Sequence, residues 1–181
     1  MQGDRKPVAL LQTPADESLA QVSADGKWMA YQSDETGTNQ IYVRPFPEGA
    51  GNKSQISTDG GFFPRWRGDG KELYFVAGPN ILAAEIRMTE SSVQPGVPHV
   101  IFRLFGNPNV NVHTPAYHRY GVTADGQRFL IPQPPGALAA SGGLAGALAA
   151  TVDQSAGGGA AVSNTGSISV VLNWTRNLKR N

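Results

Sequence analysis

Histidine and aspartate are the residue types that first suggest chemistry in this chain. His113 and His118 lie five residues apart across Pro115, which is a loop spacing, and Asp125 follows them. Two histidines and one carboxylate can hold a divalent metal ion. Because this spacing does not position a third ligand with the other two, we expect polar loop residues and predict no metal site. His113 and His118 are kept as weak metal candidates.

A cluster of aromatic and cationic residues is the stronger candidate for binding. Residues 62–67 read Phe-Phe-Pro-Arg-Trp-Arg. If they form a strand, Arg65 and Arg67 lie on one face and Trp66 on the other. Arginine binds anionic groups through a rigid fork of donors, whereas large aromatic residues usually pack between layers of a β protein. The candidate ligand-binding residues, with their counterparts elsewhere in the chain, are Arg44, Arg65, Trp66, Arg67, Tyr117 and His118.

Motifs for covalent catalysis are absent from the sequence. It contains no Gly-x-Ser-x-Gly, Ser-x-x-Lys or His-Glu-x-x-His pattern. The chain has no cysteine, which excludes thiol catalysis, a disulfide framework and a thiolate metal site. The sequence therefore indicates no catalytic residue, and we predict no cofactor.

An Asp-Gly pair recurs three times, and each copy leads into a short apolar segment. The aspartates are Asp25, Asp69 and Asp125, separated by 44 and 56 residues. Asp-Gly favours a tight turn, since glycine accepts a positive φ and aspartate tolerates one. We therefore interpret these aspartates as structural. A period near 44 residues with about four short strands is typical of a β-propeller blade.

Turn signals divide each repeat into short strands, so the predicted fold is all-β. The first strands are expected at 19–23, 62–67 and 119–123, the second at 27–33, 72–77 and 128–131, the third at 40–46, 81–87 and 168–174, and the outer at 53–57 and 100–104. We predict a β-propeller of about three four-stranded blades, a half propeller. The blades occupy 1–132, a Gly/Ala/Ser-rich insertion that we expect to be disordered occupies 133–166, and the final strand with the C-terminal tail occupies 167–181.

The two ends of this pattern are complementary. Residues 6–13 look like an outer strand with no unit before them, and the last unit lacks an outer strand. Propellers typically have four to eight blades, so three do not close a ring. Two interpretations follow: two chains join as a homodimer with six blades, or the chain is a piece of a larger propeller.

The amino-acid composition limits the classes of partner that we expect the chain to bind. Lys and Arg number 15 against 14 Asp and Glu, a net charge of +1, which argues against nucleic-acid binding. Residues 1–20 lack the pattern of a signal peptide, and no apolar run has the length of a membrane-spanning helix. We expect no membrane insertion.

Three segments resemble a known family. They are "SADGKWMAYQSDETGTNQIYVRPFP" at 23–47, "GGFFPRWRGDGKELYFVA" at 60–77 and "ISVVLNWTRNLKR" at 168–180. The first resembles the WD-like repeat of TolB-type propellers. The others resemble the C-terminal propeller of bacterial eukaryotic-like serine/threonine protein kinases. The sequence departs from the repeat at Ala24 and Ala124, where proline is usual. The resemblance covers about residues 5–132 and 167–180 and implies a periplasmic location, although no kinase motif is present.

These observations favour a non-catalytic binding module for ligand sensing or protein–protein interaction. The expected partner is a protein or peptide, or a small anionic ligand. The alternative is a hydrolase-associated or metal-assisted enzyme domain. Its site would lie at the propeller mouth near His113 and His118.

Overall fold

The regular secondary structure is β-strand throughout the described part of the chain. The computed structural model describes residues 9–47, 53–89, 92–103, 120–133 and 167–172. Within these ranges twelve strands form three antiparallel sheets, none of them closed into a barrel. The all-β prediction is therefore confirmed.

The first sheet follows the chain from strand to adjacent strand. Its members are β1 (Glu17–Val22), β2 (Trp28–Ser33), β3 (Gln40–Pro45) and β4 (Ser54–Gln55), in the order β1-β2-β3-β4. The predicted outer strand over 6–13 is not formed in its described portion, 9–13. Leu11 from that segment instead packs on the face of the first sheet that points away from the second sheet.

The second sheet has one more strand than expected. It contains β5 (Phe62–Trp66), β6 (Glu72–Ala77), β7 (Asn80–Met88), β8 (Val93–Pro95) and β9 (His99–Arg103). Both β8 and β9 pair with β7, which is nine residues long and has room for both. The outer strand is thus interrupted, and its first part was not predicted because Val93-Gln94-Pro95 is too short to give an alternating pattern.

The third sheet pairs segments that are distant in the sequence. It consists of β10 (Gly121–Val122), β11 (Arg128–Gln133) and β12 (Ser167–Leu172). Strands β11 and β12 are antiparallel in continuous register from Arg128 opposite Leu172 to Gln133 opposite Ser167. The segment that joins them, 134–166, lies outside the described residues, so the expectation that it is disordered stays a prediction.

The three Asp-Gly turns have the same backbone geometry. In each, the glycine N–H donates to the carbonyl three residues earlier, at 2.9, 2.9 and 2.8 Å for Gly26, Gly70 and Gly126. The φ angles of these glycines are 72°, 71° and 70°. Each turn joins the first two strands of its sheet, as the repeats predict. The three turns are therefore equivalent in backbone geometry.

The first strands of the first two sheets contain the same irregularity. Register shifts occur between Ser18 and Gln21 in β1 and between Phe62 and Arg65 in β5. At these bulges Leu19 and Phe63 have φ of 54° and 58°, a left-handed conformation that bulky residues rarely adopt. Each of the two residues lies six positions before the aspartate of the following Asp-Gly turn.

The bulge at Phe63 links the second sheet to both neighbours. Outside the β5–β6 ladder, its N–H donates to Gln32 Oε1 in the first sheet at 3.3 Å, and its carbonyl accepts from the Tyr120 hydroxyl at 3.0 Å. Phe63, Gln32 and Tyr120 are all buried. Because a buried backbone group without a partner is costly, these two side chains stabilise the bulge.

Alternating residues of the strands fill two separate apolar layers. Trp28 and Ala30 of β2 pack with Leu73 and Phe75 of β6, between the first and second sheets. The other face of β6 contributes Tyr74 and Val76 to a second cluster, which also contains Phe129 and Ile131 of β11. The second sheet is therefore covered on both faces.

The first sheet also has an apolar outward face, formed by Met29, Tyr31 and Tyr42. Leu11 and Phe46 pack against it. The Tyr42 hydroxyl is buried, and among the described residues no group makes a hydrogen bond of normal geometry with it. Burial is the main cause that raises the pKa of Tyr42, and Glu35 and Thr36 lie close enough to influence it.

Tyr120→Phe tests the link at Phe63. The substitution leaves the Phe63 carbonyl buried without the Tyr120 donor, and we expect it to lower the free energy of unfolding by about 1–3 kcal/mol, measured by urea denaturation. Tyr42→Phe is the matched control, since both rings are buried, at 2% and 3% exposure, but the Tyr42 hydroxyl is unpaired among the described residues. Equal effects of the two substitutions would contradict the proposed role of Tyr120.

Candidate functional site

Arg65 lies on the edge strand of the second sheet and is half-buried. In the β5–β6 register it is opposite Tyr74, so its side chain is on the face toward the third sheet. Its Nη1 donates to the Pro64 carbonyl at 2.9 Å. Burial lowers the pKa of Arg65, while the nearby Tyr120 opposes that effect. A guanidinium held partly out of water in this way binds an anion more strongly than one in bulk solvent.

Arg67 is engaged in an ion-pair network at the second Asp-Gly turn. Its Nη2 is 2.8 Å from Asp69 Oδ2, and its Nη1 is 3.2 Å from Glu72 Oε2. Burial alone would lower the pKa of Arg67, but the hydrogen bond with Glu72 and the charge of Asp69 raise it overall. The same Glu72 oxygen accepts a hydrogen bond from the Tyr74 hydroxyl at 2.7 Å. Arg67 therefore stabilises the turn through its ion pairs with Asp69 and Glu72.

This network lies against the Asp-Gly turn of the third sheet. The Gly68 N–H donates to the Ala124 carbonyl at 2.8 Å. A Cβ placed on Gly126 would be 2.3 Å from the Tyr74 hydroxyl oxygen and 3.1 Å from Arg67 Cδ. The close approach of the two turns thus requires glycine at position 126.

Trp66 lies on the opposite face of β5 from Arg65 and Arg67, as strand alternation predicts. Its ring packs against the cluster between the first and second sheets. Its Nε1–H donates to the Gln21 carbonyl in β1 at 3.0 Å. This hydrogen bond is a contact between sheets, which is the packing role that the sequence also allowed for Trp66.

Arg44 lies on a different surface from the other arginines. It is opposite Met29 in the β2–β3 register and is half-buried near the outward face of the first sheet. Tyr31 lies on this face, and burial raises its pKa to about 12, with a further contribution from Glu35 and an opposing one from Arg44. Arg44 and Arg65 thus lie on different faces of different sheets, so the candidates do not form one cluster.

Both histidine candidates are outside the described residues. This applies to His113 and His118, and also to Tyr117. His99 is at the start of β9 and is exposed. Across the described ranges no three His, Asp or Glu side chains are grouped so as to hold a metal ion. The alternative of an enzyme site near His113 and His118 stays a prediction from sequence.

The aspartates of the repeat stabilise their own turns. Asp25 accepts hydrogen bonds from the Ser23 hydroxyl and the Lys27 N–H, and the first of these is the main cause that lowers its pKa. Asp125 has the same arrangement with Thr123 and Gln127. At Asp69 the Ser or Thr is replaced by Arg67. These contacts agree with the interpretation of the three aspartates as turn residues.

Neither Gln32 nor the role of Tyr120 was predicted from the sequence. Gln32 is a buried polar residue in a strand whose other members are also buried, and such a residue needs a hydrogen-bond partner. In the sequence, the available signal was a polar residue directly after the apolar run Trp28-Met29-Ala30-Tyr31. For Tyr120 no local signal exists, because its partner is 57 residues away in the chain.

Comparison with known proteins found no relative of the chain among families and curated proteins. Neither a scan of protein-family models nor a search of curated proteins found a match for the chain. In the parts of the chain that the structure describes, no helix is long and apolar enough to cross a membrane.

Gly126→Ala tests the contact between the second and third sheets. The matched control is Gly26→Ala, because the equivalent glycine has the same φ but no atom within 4 Å of an added Cβ. We expect Gly26→Ala to cost about 1–2 kcal/mol from the left-handed backbone alone. Gly126→Ala should lower the free energy of unfolding by about 1–3 kcal/mol more than Gly26→Ala does, since its Cβ displaces Tyr74. Thermal and urea unfolding of both variants measure the difference, and equal losses would exclude the close packing of the two turns.

Proposed function

We propose that the chain is a non-catalytic β-propeller module that binds a protein, a peptide or a small anionic ligand. The three sheets have equivalent turns, and β1, β5 and β10 are each the first strand and an edge strand of their sheet. The observation that carries the proposal is the convergence of these edges. Leu19 of β1 packs against the cluster between the second and third sheets. Contact of the first sheet with that cluster supports blades arranged around an axis.

Arg65 is the residue that we assign to binding. It lies on one of these converging edge strands, and a half-buried guanidinium there suits recognition of a carboxylate or another anionic group. Trp66 and Arg67 support the same strand from its two faces, through Gln21 and through Asp69 with Glu72. They are therefore positioning residues for Arg65 in this proposal. Arg44 belongs to a separate surface.

A second copy of the chain would add further sheets to this proposed arrangement of blades around an axis. On β11, Phe129 and Ile131 face the second sheet, so Leu130 points away from it, and Leu130 is 47% exposed. The equivalent residues of the first two sheets, Ala30 and Tyr74, are fully buried between sheets. This difference supports a homodimer in which another sheet covers the Leu130 face.

Anion binding at Arg65 can be measured directly by NMR. We expect N-acetylglycine, which carries one carboxylate, to cause a saturable shift of the Arg65 Nε–Hε signal. Arg65→Gln should weaken binding by about tenfold to a hundredfold, since a hydrogen bond to a charged group contributes about 1.5–3 kcal/mol. Inorganic phosphate is the second probe and distinguishes a general anion site from a carboxylate site.

Arg87→Gln is the matched control, because Arg87 is an exposed arginine on β7 of the same sheet. It should bind both probes as the wild type does. Unchanged affinity in Arg65→Gln, or no saturation with either probe, would refute the role of Arg65. Light scattering on the same samples reports the mass in solution, and a monomer at micromolar concentration would refute the homodimer.

A further inference from the structure

A second candidate site lies away from the Asp-Gly turns. A cavity of about 300 Å³ opens between the loop 58–60, which leads from β4 to β5, and the turn 78–79 between β6 and β7. That turn follows the C-terminal end of β6, whereas Asp69 and Gly70 precede its N-terminal end. The cavity is therefore separate from the ion-pair network of Arg67, and it has the size of a small-ligand site.

Apolar side chains from three adjacent strands line one side of the cavity. Phe75 of β6 is opposite Leu82 of β7, and Leu82 is opposite Val100 of β9. Cross-strand partners lie on the same face of a sheet, so these three side chains form a continuous row. Val100, at the outer end of the row, is 50% exposed, whereas Phe75 is buried. The row can bury a short apolar chain.

Three residues with side-chain oxygens also line the cavity, and two of them, Thr58 and Asp59, are exposed to solvent. Thr58 and Asp59 come from the loop, and Asn80 is the first residue of β7. Among the described residues that line the cavity, Asp59 is the only charged one. No hydrogen bond or ion pair joins its carboxylate to another described residue. The cavity thus combines an apolar wall with one carboxylate that no described residue pairs with.

We propose that this cavity binds a primary ammonium group at the end of a short apolar chain. The ammonium carries three donors and no acceptor, which matches the carboxylate of Asp59 and the side-chain oxygens of Thr58 and Asn80. The methylene chain packs along Phe75, Leu82 and Val100. This chemistry occurs in a free alkylamine and in the side chain of a peptide lysine. The site is of opposite charge to that of Arg65 and does not depend on it.

Titration with n-butylammonium chloride, followed by amide NMR, tests this proposal. The N–H signals of Gly60, Gly78 and Asn80 border the cavity and should shift together to saturation. Neutral 1-pentanol should bind at least tenfold more weakly, and pentanoate should not bind, because the site offers one negative charge. Nα-acetyl-lysine N-methylamide is the further probe: tighter binding than butylammonium identifies a peptide lysine as the source, and weaker binding identifies a free amine.

Three substitutions separate binding at the cavity from general effects on the protein. Asp59→Asn should weaken butylammonium binding at least tenfold, whereas Glu85→Gln, which removes an exposed carboxylate elsewhere on β7, should leave it unchanged. Asn80→Asp adds a second carboxylate at the cavity and should tighten binding several-fold. The proposal is overturned if pentanol binds as well as butylammonium, if Asp59→Asn binds like the wild type, or if the glycine signals do not move. The Arg65 variants should leave these results unchanged, so the two proposals fail independently.

Discussion

The backbone of Phe63 is the point on which the arrangement of the three sheets depends. Its left-handed conformation removes it from the β5–β6 ladder, and its N–H and carbonyl are then bonded by side chains of the first and third sheets. A left-handed bulky residue is strained, and it persists only where its surroundings determine it. Gln32 and Tyr120 provide that constraint, so one irregular residue fixes two neighbours relative to the second sheet. Leu19 has the same conformation in β1, also six residues before an Asp-Gly turn.

Since the second sheet is covered on both faces, most of its distinctive residues serve packing. Trp66 bonds the first sheet, and Arg67 with Glu72 and Tyr74 supports the turn that meets the third sheet. The binding functions that we propose are at positions on the sheet margins. Arg65 lies on an edge strand, and Asp59 lies in a loop between sheets. The two proposed sites have opposite charges and different neighbours, so the proposals can be tested separately.

The sequence predicts the regular parts of this fold because they depend on local chemistry. The Asp-Gly turns and most strand positions agree with the structure within two residues, as does the placement of Trp66 opposite Arg65 and Arg67. Features that depend on distant partners were not predictable. The bulge at Phe63 requires Gln32 and Tyr120, and the split outer strand depends on the length of β7. The separation of Arg44 from the other candidate arginines also depends on the fold and was not predictable. Arg44 resembles the others in sequence, but it lies on a different sheet and a different face.

Distances between equivalent turns test most directly whether the sheets are blades around an axis. The chain has no cysteine, so spin labels can be placed in pairs at Lys27, Lys71 and Gln127 and measured by pulsed electron paramagnetic resonance, with labelled chains diluted in unlabelled protein. For four to eight blades, the two neighbouring distances are equal and the 27–127 distance is about 1.4 to 1.85 times as long. A linear stack of sheets gives a ratio of about 2, with the three labels in one line, and that result would contradict the propeller.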